Sequence, residues 1–541
     1  MRIPKTILGN ARGNPPTSSV LTSFVNGKFV PIETSSSLSS SQATELWDAS
    51  TGRARNIRVQ TATTSELEDA ARSSKAAQQR WNKEYTSMER AHLLREAARL
   101  VIEEYKDEIT QLETLDTGRP IHETQHDAQS VSDCLEWFAS VSSTGWGNTA
   151  HHQLTTSDGR SDGSFGYTKR EPLGVCCGIG AWNFPILSAI WKSAPALAFG
   201  NSLIFKPSEY TPSTALLLAE VYQRAGLPDG LFQVLLGDGP TIGSGLVRHP
   251  TVSKISFTGS VATGKLIYQT AAAVPEQLKK VTLELGGKSP LIVFDDVASI
   301  DAAVTATMMA NWYSSGQVCS NGTRVYVQES IHDAFVQRLI ERTSRLKIGH
   351  PMDPNTHIGP MVSKPQMEKV LEYIRIGEHE DGATLVYGDR ERYVPPTHHE
   401  DQNTSLREGY FLTPAIFTDC RDDMKIVQEE IFGMVCSVLR FSTEQEVLER
   451  ANGCEMGLAA GVFTKDIQRA HRMVHSLEAG TTWINNYNLA PVELPWGGWK
   501  NSGIGSENGL AAMESWTRTK SVYVELNDYE TLESPYDTTI S

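Results

Sequence analysis

Cys319 lies in Gly316-Gln317-Val318-Cys319-Ser320, between a helical stretch and the strand-like run Arg324–Gln328. A cysteine beside a glycine-containing turn suits a nucleophile. The thiolate is the reactive form, and a helix end or nearby dipoles lower its pKa. The plainer reading is a buried structural cysteine. Glu284 sits in the apolar run Val281-Thr282-Leu283-Glu284-Leu285-Gly286-Gly287-Lys288. A carboxylate is costly to bury there, so it is either paired or kept as a base with a raised pKa. An exposed place on a half-buried strand is the alternative. Asn183 follows Gly178-Ile179-Gly180-Ala181-Trp182 and precedes Phe184-Pro185. At a strand-to-helix junction its amide can donate to a developing oxyanion, or simply cap the helix.

Two segments suit a dinucleotide. Phe205-Lys206-Pro207-Ser208-Glu209 ends a strand, and Lys206 and Glu209 can grip ribose hydroxyls. Phe257-Thr258-Gly259-Ser260 ends another strand and opens a helix, whose free N–H groups suit a pyrophosphate. Neither is Gly-x-Gly-x-x-Gly, so the usual Rossmann fingerprint is absent.

The elements that must position these residues alternate. Strand-like runs at Gly174–Ile179, Ser202–Phe205, Leu231–Leu236, Lys254–Phe257 and Val281–Leu285 are separated by helical stretches at Ser188–Ala198, Ser213–Arg224, Thr241–Arg248 and Val261–Ala273. That is βαβ architecture with a parallel sheet. A second alternating set runs from about Ala303 to Ile484, with strands at Arg324–Gln328, Val435–Arg440 and Gly461–Thr464. The expected fold is α/β with two parallel-sheet lobes and an active-site crevice between them. Ahead of them, Phe24–Phe29 reads as a hairpin turning at Asn26-Gly27, and residues 66–115 read as helix. Residues 151–166 and 391–406 are polar interruptions, the second a surface loop.

With 541 residues the chain is too long for one simple core. Its net charge of −15 offers no electrostatic reason to hold nucleic acid or an anionic membrane. The longest apolar stretch is broken by Lys192 and Asn201, so no spanning helix is expected. The seven cysteines contain no Cys-x-x-Cys. That argues for a reducing compartment and against a metal site. The expected location is cytoplasmic. Arg2, Lys5 and Arg12 with no nearby acid leave a mitochondrial transit peptide as the alternative, against which Pro4, Pro15 and Pro16 argue as helix breakers.

Taken together and in order, the motifs resemble the aldehyde dehydrogenase superfamily from about residue 24 to 530. They are Ala181-Trp182-Asn183-Phe184-Pro185, Lys206-Pro207-Ser208-Glu209, Phe257-Thr258-Gly259-Ser260, Leu283–Lys288, Gly316–Cys319, Glu429-Glu430-Ile431-Phe432-Gly433 and Pro495-Trp496-Gly497-Gly498. The resemblance implies a Rossmann-like NAD-binding lobe, a catalytic lobe and a small β oligomerisation hairpin. It implies Cys319 as nucleophile, Glu284 as base and Asn183 as oxyanion donor, with Lys192 and Glu507 relaying protons to Glu284. Trp182, Lys206, Glu209, Gly259, Ser260, Gln366, Glu430 and Phe432 match cofactor positions. Glu209 favours NAD, since a carboxylate accepts from a 2′-hydroxyl and repels a 2′-phosphate; neighbouring Lys206 blunts that repulsion, so NADP stays an alternative.

The implied layout is an extension over 1–23, an NAD-binding domain over 24–150 and 171–285, a catalytic domain over 286–500, and hairpin and tail over 151–170 and 501–541. Family members are homodimers or homotetramers joined through such strands. Two departures stand out. Ser506 replaces a usual Arg that supports interface packing, and Met434 replaces a usual Pro, which is expected to loosen a turn beside the nicotinamide.

The tail Trp516–Asp528 and the segment Tyr487–Glu493 resemble the betaine aldehyde and trimethylaminobutyraldehyde dehydrogenase branch. By family position the substrate tunnel is lined by Phe184, Trp191, Tyr313 and Trp496, all aromatic. A quaternary ammonium offers no N–H, so ring faces recognise it, each contact contributing about 0.5–2 kcal/mol. Glu493 adds negative potential at the mouth. A small-molecule aldehyde, trimethylammonio or amino, is therefore the expected substrate. A broad aliphatic or aromatic aldehyde dehydrogenase is the alternative, and a non-catalytic structural relative the remote one.

Overall fold

A computed structural model describes residues 19–32, 43–144, 149–151, 165–396 and 406–526. Most of the expected excursion at 151–166, the centre of the 391–406 loop and residues 1–18 lie outside the described residues.

The first large sheet has eight strands, in the order Gly503–Ile504, Lys280–Glu284, Val252–Thr258, Val175–Ile179, Ser202–Lys206, Phe232–Val234, Phe24–Val25 and Lys28–Phe29. The five strands from Lys280–Glu284 to Phe232–Val234 are parallel. Val175–Ile179 and Ser202–Lys206 are buried at every position, which is why they read as continuous apolar runs rather than alternating ones. Chain order reverses between Val175–Ile179 and Val252–Thr258, neighbours in space with two strands of sequence between them. Ligands bind open α/β sheets beyond the carboxyl ends of strands at such a switch point. The hairpin at one edge turns at Asn26 (φ 48°) and Gly27 (φ 76°), the left-handed pair that a two-residue turn requires.

The second sheet has seven strands, in the order Thr384–Tyr387, Ala415–Thr418, Val435–Phe441, Arg324–Gln328, Pro290–Val293, Ala459–Phe463 and Thr481–Ile484. All but the first are parallel. A third, antiparallel sheet pairs Thr517–Val524 with Phe165–Pro172 residue for residue, and Phe165–Pro172 with Thr149–His151.

Three expectations change. Residues 19–21 are not extension: Ser19–Leu21 pairs with Arg53–Gln60. The span 66–115 is three helices, Thr64–Glu84, Ser87–Glu103 and Lys106–Thr117, not one. The first two each open on a threonine capping box, Thr63 with Glu66 and Thr86 with Glu89. Finally, 501–541 is more than hairpin and tail. Gly503–Ile504 hydrogen-bonds antiparallel to Lys280–Glu284 and becomes the outer strand of the first sheet.

Candidate active site

A cleft of about 660 Å³ opens at the switch point. Its walls include Trp182, Asn183, Lys206, Glu209, Gly259, Ser260, Glu284, Cys319, Gln366, Glu430 and Phe432. Residues from both lobes therefore meet in one space.

Cys319 follows an unusual piece of backbone. The helix Ile300–Trp312 ends, and Ser314 (φ 54°), Ser315 (φ 53°) and Gly316 (φ 74°) run left-handed in succession. Strained backbone of this kind costs about 1–3 kcal/mol per residue and needs surroundings that enforce it. Here buried Glu123 accepts from Ser314 N–H, Ser315 Oγ donates to the Gly359 carbonyl, and Asn321 Nδ2 donates to the Gly316 carbonyl. A Cβ on Gly316 would meet the Gly433 carbonyl carbon at 2.4 Å. The segment is thereby held as a rigid mount for Cys319.

The cysteine itself is half-buried at the cleft wall. Its thiol is pushed up to about 12, first by burial and then by the negative charges of Glu430 and Glu284; the Ser320 and Cys319 backbone N–H groups oppose this too weakly to win. Contrary to the expectation from sequence, no helix end or dipole brings this pKa down. Cys319 at rest is a thiol, so it could attack a substrate only where its proton has an acceptor.

Glu284 ends its strand in the same cleft, 5 % exposed, with neither carboxyl oxygen hydrogen-bonded. Burial drives its pKa well up, Glu507 adds to the rise, and Lys192 counters it. A buried carboxyl with no partner binds its proton more tightly than a free one, which makes it a stronger base once ionised.

Asn183 does not cap a helix. Phe184 holds the cap position of Pro185–Ala198, without a side-chain cap bond. Asn183 Nδ2 instead donates to the Gln317 carbonyl at 2.9 Å. That fixes the amide and leaves its second N–H for the cleft.

Behind the cleft, Lys192 Nζ donates to Glu507 Oε1 at 3.0 Å and to Thr258 Oγ1 at 2.7 Å, and Ser256 Oγ donates to the same Glu507 oxygen at 2.8 Å. Lys192 and Glu507 are fully buried and line no part of the cleft. They reach it through Thr258 and through their electrostatic effect on Glu284.

The nucleotide end fits a dinucleotide. Ser260 caps the helix Val261–Ala272 at the end of a strand, presenting free N–H groups beside the cleft. Lys206 and Glu209 approach to 3.7 Å, the acid half-buried and able to meet a hydroxyl. Glu430 lies against bare backbone: it accepts from Gly287 N–H at 3.3 Å, and a Cβ on Gly286 would fall 1.9 Å from its Oε2. Burial raises its carboxyl to about 7. Phe432 has φ 61° and packs edge-on against Trp182 at 5.1 Å. Gln366 lines the cleft, but its Nε2 donates to the Ile431 and Phe432 carbonyls, so it braces that turn. Met434, just after this turn, is buried, and its carbonyl accepts from Ala415 N–H.

The four rings lie outside the walls of this cleft. Phe184 stacks on Tyr313 at 6.3 Å, and Trp191 tilts against Trp496 at 5.9 Å. Glu493 is exposed on the turn before Trp496. Residues that sequence reasoning missed include Glu123, Gln317, Lys369 and Arg119. Gln317 stood in the quoted motif beside Cys319. Glu123 and Lys369 look like ordinary solvated helix residues in sequence, and Arg119 like a surface turn residue between Gly118 and Pro120, so nothing local marks them.

The model of the aldehyde dehydrogenase family matches residues 39–522. The chain belongs to the aldehyde dehydrogenase family. It is 52% identical over 479 residues to a betaine aldehyde dehydrogenase of Mesorhizobium japonicum, covering 88% of this chain and 92% of the relative. It is 49% identical over 465 residues to the 4-trimethylaminobutyraldehyde dehydrogenase of Homo sapiens, covering 86% and 90%. Among solved structures, the NAD+ complex of an aldehyde dehydrogenase from Bacillus cereus superposes with TM-score 0.85 at 37% identity, over 94% of this chain and 97% of that one. A betaine aldehyde dehydrogenase from Staphylococcus aureus in complex with NAD+ gives TM-score 0.85 at 34% identity, over 94% and 95%. Among the described residues no helix is long and apolar enough to cross a membrane.

Proposed function

We propose that this aldehyde dehydrogenase oxidises a trimethylammonio or amino aldehyde to its carboxylic acid with NAD as hydride acceptor. The observation that carries the reading is the meeting of Cys319, Glu284 and Asn183 in one cleft whose far end suits a dinucleotide. The names of the relatives at about half identity favour the substrate class.

Cys319 Sγ attacks the aldehyde carbon while its proton passes to Glu284. The oxyanion takes the free N–H of Asn183 and the backbone N–H of Cys319; losing one such donor costs about a hundredfold or more in rate. Lys206, Glu209, Ser260, Glu430 and Phe432 hold the cofactor, which when bound supplies the hydride acceptor. A thioester remains on Cys319. Glu284 deprotonates the water that attacks it, and the Lys192–Glu507 pair takes up the released charge. Trp191, Trp496, Phe184 and Tyr313 surround the remote end of the substrate. We assign the eight-stranded lobe to cofactor binding and the seven-stranded lobe to catalysis.

We further infer a homodimer or homotetramer. Among the described residues Thr517–Val524 is an edge strand of its sheet, with Tyr523 exposed, and such an edge is a template for another chain.

The test is a kcat/KM panel over betaine aldehyde, trimethylaminobutyraldehyde, aminobutyraldehyde and hexanal, read by NADH absorbance. The cationic aldehydes are expected to lead. Equal values for hexanal support the broad-specificity reading, and no NADH with any aldehyde defeats the enzyme reading.

A further inference from the structure

Two short segments carry the oxyanion donor and the nucleophile, and one buried arginine lies against both. The guanidinium carbon of Arg119 sits 4.2 Å from the ring centroid of Phe184, the residue after Asn183. Its Nη2 donates at 3.3 Å to the hydroxyl of Tyr313, the residue before the left-handed Ser314. The arginine is 1 % exposed and lines no part of the cleft.

Three carboxyl groups surround it. Asp127 accepts from Nη1 at 2.7 Å and from Nη2 at 3.3 Å. Glu113 Oε2 lies 3.7 Å from Nη1, and Glu123 Oε2 lies 3.8 Å from Nε. Each glutamate reaches on to one of the two segments. Glu113 Oε1 accepts from Ile186 N–H at 3.0 Å and from Thr214 Oγ1 at 2.6 Å. Pro185 has no N–H, so Ile186 is the first donor of the helix that follows Asn183, and Phe184 gives that helix no side-chain cap. Glu113 supplies the missing acceptor from far away in sequence. On the other side, Glu123 accepts from Ser314 N–H at 3.1 Å. Burial lifts both glutamates to about 8, with Asp127 adding to the rise in each. At neutral pH they are mostly protonated, so an amide of the same shape resembles them. Asn183 Nδ2 on the Gln317 carbonyl joins the two segments at the cleft wall. The arginine cluster joins them a second time, away from it.

We propose that Arg119 is a positioning residue: with Glu113 and Glu123 it clamps the Asn183 segment to the Cys319 turn and so sets the reach from the oxyanion donor to the sulfur. The inference rests on the assignment of Asn183 as oxyanion donor above. Once the aldehyde carbon is bonded to sulfur, its oxygen must fall within hydrogen-bond distance of donors already in place. A misplacement of about 1 Å costs up to about a hundredfold in rate.

The experiment is a double-mutant cycle on the first-turnover rate of NADH formation, read by stopped flow at saturating NAD and aldehyde. The aldehyde is trimethylaminobutyraldehyde, or hexanal should that lead the panel above. Arg119→Lys keeps the charge but loses the planar fork that meets ring, hydroxyl and carboxyl together. Glu113→Leu removes the remote acceptor, and Glu113→Gln restores its shape. The first two are each expected to slow the first turnover about tenfold or more, and Glu113→Gln to stay within about threefold of wild type. The Kd for NAD, expected within about twofold of wild type, is the fold control. In an Asn183→Ala background Arg119→Lys and Glu113→Leu are expected to cost about twofold or less, because the donor they position is gone. Losses that multiply in full on Asn183→Ala overturn the clamp and leave the reaction scheme standing. A raised KM for the aldehyde at an unchanged limiting rate also overturns it, making the cluster a support for the substrate wall. An Asn183→Ala enzyme with the wild-type rate overturns the oxyanion assignment and the clamp with it. If Glu113→Leu no longer binds NAD, the cycle is read from Arg119→Lys, and a wild-type rate there overturns the clamp.

Discussion

At the scale of single residues, the pairing of a protonated thiol with an unpartnered carboxyl sets the chemistry. Glu284 is assigned to both proton transfers, the first of which precedes hydride release. Glu284→Gln is therefore expected to slow the first-turnover release of NADH as well as steady turnover, each by about a hundredfold or more, seen by stopped-flow absorbance. Undiminished steady turnover would remove the residue from this role. The raised pKa of Cys319 makes a separate forecast for the cofactor-free protein. With the folded value near 12, only a small thiolate fraction exists at neutral pH, and that fraction grows about tenfold per pH unit below the pKa. Iodoacetamide labelling of Cys319, followed by mass spectrometry, is expected to accelerate in that proportion between about pH 7 and pH 10. A flat profile would mean that the sulfur is already ionised.

At the scale of elements, the left-handed turn before Cys319 depends on the short helix Ile121–Thr124, far away in sequence. Glu123→Ala removes the acceptor of Ser314 N–H and leaves a void beside Arg119. It is expected to cost about 1–3 kcal/mol in chemical denaturation and to lower kcat. Glu123→Gln separates shape from charge. Burial lifts the Glu123 carboxyl from 4.5 to about 8 against the pull of Arg119. The folded chain thus holds a proton that the unfolded chain has lost, and stability drains away as pH rises from about 4.5 to about 8. The glutamine variant escapes that loss, so its melting temperature relative to wild type is expected to climb across this window and level off above it. A constant difference would place the Glu123 pKa elsewhere. Another expectation concerns the glycine beneath Glu430: Gly286→Ala forces that carboxylate aside and is expected to raise KM for NAD about tenfold or more.

The same scale explains what sequence reading reaches. Parallel strands buried on both faces are continuous apolar runs, so Ser202–Lys206 and Arg324–Gln328 are legible, as is the Lys206–Glu209 motif that ends the first. Ala415–Thr418 and Thr481–Ile484 are only four residues each, too short to stand out, and Ser19–Leu21 is held by a partner more than thirty residues on. No local pattern announces that Ser314 and Ser315 turn left-handed, since the enforcing contacts come from Glu123 and Gly359. The cleft residues were visible because motif chemistry is local. Arg119 was not, because its meaning lies in what it lies against.

At the scale of the whole molecule, two lobes and a small third sheet share few strands but many anchors. Asn201 carries one anchor: its Nδ2 donates to the Trp516 carbonyl and its Oδ1 accepts from Leu173 and Gly174, tying the first sheet to the start of the third. If the edge Thr517–Val524 joins a second copy, a proline at Lys520 should block the new ladder. The expected result in light scattering is a shift to smaller particles, with Cys319 chemistry weakened rather than abolished. An unchanged mass would leave this edge out of the assembly.

The placement of Gly503–Ile504 carries a consequence for biosynthesis. The strand that bears Glu284 acquires its outer neighbour from residues translated more than two hundred positions later. On the ribosome, that flank stays open until residues 503–504 have been made, so Glu284 is walled in long after its own strand is synthesised. A nascent chain that stalls before them would expose an adhesive border.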